Sequence, residues 1–113
     1  MEQGAANLRV AGTLNDGVAL LHAHGDMDLA TAQAVRDAVC DALDEGAREV
    51  VVDLSGLRFL DSTGLSVLLH AARDVARRGA SLRTIAPAGS EARLVMDLAR
   101  LGGLLHLEPL EPA

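Results

Sequence analysis

Residues 49–65 read EVVVDLSGLRFLDSTGL, and this stretch decides the fold. Its first part, Glu49–Leu54, is a continuous β-branched run, which is typical of a strand covered on both faces. After a predicted turn at Ser55-Gly56, Asp61-Ser62-Thr63-Gly64 opens a segment with the apolar stripe of a helix. The free N–H groups and the dipole of a helix start favour added negative charge. The stretch therefore predicts a strand–turn–helix unit in which Ser62 lies at a helix start, a position that favours a phosphate group.

Upstream of this unit the sequence predicts a hairpin and a helix. Two short apolar-rich runs, Leu8–Thr13 and Val18–His24, flank Asn15-Asp16-Gly17. Asp-Gly between two such runs is a hairpin signal. Gly25 is expected to break the second strand, and apolar residues at a spacing of four then predict a helix within Thr31–Ala47.

Downstream the pattern continues as helix, strand, helix and strand. The helix over Ser62–Arg78 has a predicted inward face formed by Leu65, Leu68, Leu69, Ala72, Val75 and Ala76. A strand over Ser81–Ala86 leads to a third helix capped by Ser90, with predicted inward residues Leu94, Val95, Leu98 and Leu101. Leu104–Leu107 is the last predicted strand.

The resulting element order is ββαβαβαβ, which predicts the α/β class. Strands that alternate with helices indicate a mostly parallel mixed sheet with flanking helices, here preceded by an N-terminal β-hairpin. The chain has 113 residues, which is enough for a single hydrophobic core without disulfides or metal. We expect one domain over 1–113, with an ordered core at about 7–107 and a loose, proline-containing tail over 108–113.

Three loops should lie at the carboxyl edge of the parallel strands, where ligands and partners usually bind. They are Gly25–Asp28, Phe59–Ser62 and Ala86–Gly89. All three loops should meet on one face. The sequence therefore predicts an acidic rim around Ser62, formed by Asp26, Asp28 and Asp61.

Composition argues against several functional classes. The net charge is −6, all ten basic residues are arginine and the only aromatic residue is Phe59, so a nucleic-acid surface is not expected. Cys40 is alone and reads as a packing residue, which leaves no internal disulfide. His22 and His24 share a strand face without a third ligand at metal-binding spacing, so we expect no metal and no cofactor. No secretory signal and no apolar run of roughly 20 residues is evident, which predicts a cytoplasmic protein.

Two motifs resemble the STAS domain, specifically the small single-domain anti-sigma factor antagonists of bacteria. Gly25–Ala32 (GDMDLATA) looks like the Gly-Glu-aliphatic-Asp segment that enters the first helix of the family. Val52–Leu65 looks like the phosphoacceptor segment, and the order of elements also fits over nearly the whole chain. Two positions depart from the family pattern: Asp26 stands in place of Glu, and Ala86-Pro87 stands where Asn-Pro is frequent.

The resemblance implies partner switching, in which this chain regulates transcription without being an enzyme. The unphosphorylated protein would bind an anti-sigma factor that is also a serine kinase, and so free a sigma factor, as in sporulation or stress responses. Phosphorylation of Ser62 would release the protein, and a PP2C-type serine phosphatase would reset it.

Each candidate site residue also has a purely structural interpretation. Ser62 is a phosphoacceptor or a simple N-cap of its helix. Asp61 either positions Ser62 for the kinase or only caps the helix. Asp26 and Asp28 are partner contacts or ordinary loop acids.

Two neighbours of Ser62 are further partner-binding candidates. Thr63 is a candidate second acceptor. Gly64 costs about 1 kcal/mol relative to alanine in a helix, so something must approach its backbone closely. That neighbour is either a partner chain or a loop of the same chain.

Two other functions remain open. A hydrolase would need Ser62 as nucleophile with His24 and Asp26 or Asp28, but no Gly-x-Ser-x-Gly elbow is present. A STAS-type domain can also be an assembly subunit of a lipid-transport or stress-signalling complex, in which phosphorylation is irrelevant.

Overall fold

The computed structural model of the protein describes residues 2–5, 7–100, 103 and 105. Its elements are β1 (Glu2–Ala5), β2 (Leu8–Asn15), β3 (Val18–Met27), α1 (Gln33–Asp44), β4 (Glu49–Leu60), α2 (Ser62–Arg77), β5 (Ser81–Ile85) and α3 (Glu91–Ala99). The predicted α/β class is confirmed, and β1 is an addition to the predicted order. The predicted strand over Leu104–Leu107 and the tail lie outside the described residues, except for Leu105. None of the helices in this part of the chain is long and apolar enough to cross a membrane.

The five described strands form one mixed sheet in the order β1-β2-β3-β4-β5. β1–β2 and β2–β3 are antiparallel, whereas β3–β4 and β4–β5 are parallel. The β2–β3 hairpin closes with Asn15 opposite Val18. Both residues of its two-residue loop, Asp16 and Gly17, have positive φ (51° and 79°), as a type I′ turn requires. The predicted N-terminal hairpin is therefore confirmed.

β4 is longer than the sequence predicts. The predicted turn at Ser55-Gly56 is wrong, because the strand continues through both residues. The pairing of β3 with β4 shifts twice, between His22 and His24 and between Gly25 and Asp26, and each shift places an extra residue on β4. Such β-bulges bend a strand without ending it. The bulges therefore accommodate the Ser-Gly pair within the strand. Gly25 likewise does not end β3, which continues to Met27.

The core lies on one face of the sheet. Every second residue of a strand points to this face. These residues and the buried sides of all three helices form one hydrophobic cluster. Its members include Val10, Leu21, Val52, Leu54, Val35, Val39, Leu68, Val75 and Met96. On the opposite face, Val51 is also buried, in agreement with the prediction for its strand, whereas Val18 and Leu20 are about half exposed.

Two helices present faces that differ from the predicted ones. In α2 the buried residues are Gly64, Leu65, Leu68, Ala71 and Val75, so Leu69 and Ala72 are only half-buried and Ala76 is exposed. In α3, Ala92 and Met96 are buried and Val95 packs partly buried against the core, as predicted for Val95, whereas Leu94 and Leu98 are 55% and 76% exposed. Leu101, which the sequence also predicts to point inward, lies outside the described residues. The apolar residues of α3 fit two helical faces equally well, and packing against the sheet selects the one that the leucines do not occupy.

α1 and α2 are tied together by an ion-pair cluster centred on Asp74. Arg36 of α1 donates to both carboxylate oxygens of Asp74 (Nε–Oδ2 2.8 Å and Nη2–Oδ1 3.2 Å), and Arg77 contacts the same carboxylate. The hydrogen bond from Arg36 is the main cause that lowers the pKa of Asp74. Cys40 lies beside this carboxylate, and burial, reinforced by the charge of Asp74, raises the pKa of its thiol. Cys40 is thus a packing neighbour of the cluster, as the sequence suggests.

We expect Asp74→Asn to lower the free energy of unfolding at pH 7, because the variant loses the ion pair with Arg36. The loss should be only about 1 kcal/mol, since Arg36 is partly exposed and solvent screens the pair. The pKa of Asp74 is lower in the folded state than its ordinary value of 3.8. The stability that it contributes is therefore present above pH 3.8 and is lost as the pH falls through the folded pKa. Urea denaturation followed by far-ultraviolet circular dichroism should show the variant and the parent protein converging in acid. Asp44→Asn, at the exposed Arg78–Asp44 pair, should change stability by less than about 0.5 kcal/mol. A gap between Asp74→Asn and the parent protein that stays constant with pH would contradict the assignment.

Candidate functional site

The ends of β3 and β4 bring two of the three predicted loops together. Asp26 is in register with Phe59, and Met27 is in register with Leu60. The Asp61 N–H then donates to the Met27 carbonyl (N–O 3.2 Å). The start of α2 is therefore held against the end of β3, as the parallel arrangement predicts.

The third predicted loop, Ala86–Gly89, does not lie beside the other two loops. The pairing of β4 with β5 ends at Asp53 and Ile85, so Ala86–Gly89 begins beside Leu54 rather than beside Leu60. The prediction that all three loops meet is wrong for this one, because the bulged β4 runs on past its last partner in β5.

Asp61 caps α2, which leaves the Ser62 hydroxyl free. Asp61 has extended backbone and its Oδ1 accepts from the Gly64 N–H (2.8 Å). Ser62 is consequently the first residue of the helix and is exposed. Within the described ranges its hydroxyl makes no hydrogen bond. The structural interpretation of Asp61 is confirmed, whereas that of Ser62 as the N-cap is wrong.

Asp61→Ala should lower the free energy of unfolding by about 1 kcal/mol, the usual effect of losing an aspartate cap. Ser62→Ala should change it by less than about 0.5 kcal/mol, because Ser62 is exposed and caps nothing. Both values follow from urea denaturation of matched samples. The reverse order of effects would show that Ser62, and not Asp61, is the cap.

Asp28 organises the turn that leads into α1. Its Oδ1 accepts from the N–H groups of Ala30 (2.9 Å) and Thr31 (3.1 Å). In return the Asp28 N–H donates to Thr31 Oγ1 (3.0 Å), and that hydroxyl donates to the Asp26 carbonyl (2.6 Å). Asp28 therefore has a structural role in its loop, whether or not it also contacts a partner.

Asp26 is paired with a cation that the sequence did not suggest. Arg58 Nε lies 3.5 Å from Asp26 Oδ1. Both residues lie at the carboxyl ends of paired strands, and only the bulged register of β4 places them side by side. The acidic rim thus carries less net negative charge than the three aspartates alone imply.

Gly64 is explained by packing within the chain. It is buried, and a Cβ at this position would lie 2.6 Å from the Met27 carbonyl oxygen and 3.0 Å from Leu60 Cδ1. The close neighbour is therefore the end of β3, which favours the loop over a partner chain. Thr63 beside it is half-buried.

Two exposed apolar side chains flank the acidic rim, and sequence reasoning missed both as candidates. Leu29, directly after Asp28, is 75% exposed, and Phe59, in register with Asp26, is 44% exposed. The signal available in the sequence was the position of the only aromatic residue at the end of a strand. We group these two residues with Ser62 and the acidic rim, because all of them lie at or just after the ends of β3 and β4. We call this set the switch surface (Asp26, Asp28, Leu29, Phe59, Asp61 and Ser62).

The residues considered for a hydrolase are engaged elsewhere. His24 stacks on His22 with ring centroids 4.2 Å apart, while Asp26 pairs with Arg58 and Asp28 caps its own turn. Ser55 and Asp53 both approach His22, but at the same atom, Nε2 (3.3 and 3.7 Å). A catalytic triad needs the serine and the carboxylate on opposite ring nitrogens, so this cluster is not one. In the part of the chain that the structure describes, no group of three or more potential ligands is arranged to hold a metal ion.

Comparison with known sequences gives one family. A family model described as "Mlab, STAS domain" matches residues 8–109. The chain is 39% identical to the anti-sigma-F factor antagonist RsfB of Mycobacterium tuberculosis over 54 residues, which cover 48% of this chain and 44% of RsfB. It is 30% identical to RsfA, an anti-sigma-F factor antagonist of the same organism, over 97 residues that cover 84% of this chain and 75% of RsfA.

Solved structures have the same fold. An anti-sigma factor antagonist from Mycobacterium paratuberculosis superposes with a TM-score of 0.78 at 23% identity, covering 95% of this chain and 90% of that one. The Bacillus cell fate determinant SpoIIAA in its phosphorylated form superposes with a TM-score of 0.64 at 18% identity, covering 88% and 91%.

Proposed function

The chain belongs to the STAS domain family, and we propose that it is an anti-sigma factor antagonist controlled by phosphorylation of Ser62. The observation that carries the proposal is the free, exposed Ser62 hydroxyl at the first position of a helix that Asp61 already caps. A hydroxyl that holds no structural hydrogen bond can be modified without loss of an internal contact. The names of RsfA and RsfB, both anti-sigma-F factor antagonists, support the same role.

The unphosphorylated protein binds its partner through the switch surface. Leu29 and Phe59 supply the apolar contacts, since exposed large apolar side chains next to a polar rim are typical anchors of protein interfaces. Asp26, Asp28 and Asp61 surround these anchors with polar groups, and Thr63 borders them. The partner is an anti-sigma factor, and its capture frees a sigma factor.

Phosphorylation of Ser62 adds about −1.5 to −2 charges to this surface. Asp61 is the adjacent residue and Asp28 belongs to the same surface, so the added charge is placed among like charges. The dipole of α2 offsets only about 0.3–1 kcal/mol of this repulsion. The phosphorylated protein therefore stays folded but binds the partner less well.

The partner is also the kinase that modifies Ser62. Asp61 is unsuited to be the base, because its carboxylate is engaged with the Gly64 N–H. The kinase supplies that group from its own active site. A PP2C-type serine phosphatase restores the free hydroxyl, and the cycle takes place in the cytoplasm without catalysis by this chain.

The test uses the purified protein with each anti-sigma factor kinase encoded by its host, with and without ATP. We expect a binary complex without ATP, and dissociation together with one added phosphate on Ser62 after ATP is supplied, located by peptide mass spectrometry. Ser62→Ala should form the same complex and resist dissociation. A phosphate on Thr63 alone would overturn the assignment of the acceptor.

The assembly-subunit alternative gives a different outcome in the same experiment. In that case the protein binds no anti-sigma factor, and instead forms a complex with a transporter ATPase or a signalling scaffold. Ser62→Ala and Ser62→Glu would bind that complex equally well.

A further inference from the structure

Two threonines, Thr31 and Thr84, are the buried polar residues of the part of the chain that the structure describes, with exposures of 3% and 2%. The hydroxyl of each donates to a backbone carbonyl at 2.6 Å, Thr31 to Asp26 and Thr84 to Leu105. A buried hydroxyl needs such a partner, because burial without a hydrogen bond costs free energy. The two residues therefore make the same kind of bond at two different places in the fold.

The Thr31 hydroxyl also closes the loop between β3 and α1. Its shortest contact is the bond to the Asp26 carbonyl, and Asp28 Oδ1 lies 3.2 Å away. It accepts from the Asp28 N–H (3.0 Å), while Asp28 Oδ1 accepts from the N–H groups of Ala30 and Thr31. Leu29 lies within the closed loop and is 75% exposed. One buried hydroxyl thus connects the part of the chain that carries Asp26, Asp28 and Leu29 of the switch surface.

The same segment supports the start of α2. The Asp26 carbonyl accepts from Thr31, and the next carbonyl along the chain, that of Met27, accepts from the Asp61 N–H (3.2 Å). The Met27 side chain is fully buried, so this carbonyl lies on an anchored residue. Two consecutive peptide groups therefore hold the loop on one side and the residue before Ser62 on the other.

We propose that Thr31 is a positioning residue for partner binding, whose hydroxyl fixes the loop of Asp26, Asp28 and Leu29 relative to Ser62. The inference rests on the proposed function, since it concerns the affinity of the switch surface for its partner. Its physical basis is preorganisation, because a loop that is already ordered loses less conformational entropy on binding. Without the hydroxyl the loop is less ordered and the affinity falls, although Ser62 keeps its place at the start of α2.

The test compares Thr31→Val with Thr84→Val as the matched control. Each variant keeps the branched shape, removes a buried hydroxyl and leaves a carbonyl without its donor, so both should lower the urea midpoint. Only Thr31→Val should weaken binding of the anti-sigma factor kinase, by about 10-fold in titration calorimetry. Thr31→Ser retains the hydroxyl and should restore the affinity of the parent protein. If Thr31→Val does not fold, Thr31→Ala removes the same hydroxyl. Equal affinities of the variants without hydroxyl at the two positions would overturn the proposal.

Phosphorylation kinetics give a readout that a loss of stability alone would not produce. With the protein as substrate of the same kinase, Thr31→Val should raise KM by about 10-fold and leave kcat within about 2-fold of the parent value, as expected when binding alone is weakened. The reason is that Ser62 and its neighbour Asp61 are unchanged once the complex has formed. Thr84→Val should change neither constant. A fall in kcat at unchanged KM would contradict a positioning role in binding.

Amide hydrogen exchange of the free protein separates this inference from the proposed function. In Thr31→Val we expect exchange to accelerate about 10-fold at the N–H groups of Asp28 and Asp61, because local opening of the loop loosens the Met27 carbonyl. Thr84→Val should leave both sites at the parent rate. Unchanged exchange at Asp61 would overturn the inference, whether or not a kinase binds. Accelerated exchange in a protein whose parent binds no anti-sigma factor kinase would support the positioning by Thr31 and contradict the proposed function.

Discussion

Gly64→Ala should lower the free energy of unfolding by about 2 kcal/mol, although alanine is the better helix former. The added Cβ would lie 2.6 Å from the Met27 carbonyl oxygen and 3.0 Å from Leu60 Cδ1. The oxygen is a backbone atom that also accepts the Asp61 N–H, so it cannot rotate away from the new methyl group. Overpacking of this kind costs about 1–3 kcal/mol or more. It outweighs the gain of at most about 1 kcal/mol from replacing glycine by alanine in a helix.

Ser66→Ala is the matched control, because it adds no volume at an exposed position two residues further along α2. It should change stability by less than about 0.5 kcal/mol. Urea denaturation followed by circular dichroism suits both variants, since the chain has no Trp or Tyr to report by fluorescence. If Gly64→Ala proved neutral or stabilising, the end of β3 would not be a rigid support for the start of α2.

Local signals explain why most of the fold could be predicted from the sequence. The Asp16-Gly17 pair specifies a turn that only positive φ angles can make, and the structure shows both. Ser90 is followed by a helix and accepts from the Arg93 N–H (3.2 Å), as an N-cap should. The same capping chemistry predicts the start of α2 at Asp61-Ser62, and the structure shows that Asp61 is the capping residue. Short-range backbone chemistry carries each of these predictions.

The features that escaped prediction depend on how elements meet. No local pattern announces the two bulges of β4, because they arise from pairing with β3. The Asp26–Arg58 pair follows from those bulges. The position of the third loop, Ala86–Gly89, beside Leu54 instead of Leu60 also follows from them. The rotation of α2 about its axis is also set by contacts, since its apolar residues cover more than half of its circumference. Helical periodicity fixes which residues share a face and leaves open which face is buried.

A single negative charge at Ser62 should decide partner binding. We expect Ser62→Glu to bind the anti-sigma factor at least about 100-fold more weakly than Ser62→Ala, equivalent to about 2.7 kcal/mol. The physical reason is that Asp61 precedes the new carboxylate and that like charges within an interface cost several kcal/mol. Titration calorimetry with the purified partner measures both affinities.

Matched variants separate the effect of charge from those of size and folding. Ser62→Gln has the size of the glutamate variant without its charge and should bind within about 10-fold of Ser62→Ala. Ser66→Glu places the same charge one turn further along α2, outside the switch surface, and should weaken binding much less, because the interaction of exposed charges falls with distance and is screened by salt. Ser62→Glu should remain as stable as the parent protein or gain up to about 1 kcal/mol, since a carboxylate at the first position of a helix is favoured by the dipole.

If Ser62→Gln weakened binding as strongly as Ser62→Glu, the switch would be steric. If Ser62→Glu lost stability, release of the partner would reflect unfolding and the electrostatic mechanism would fail.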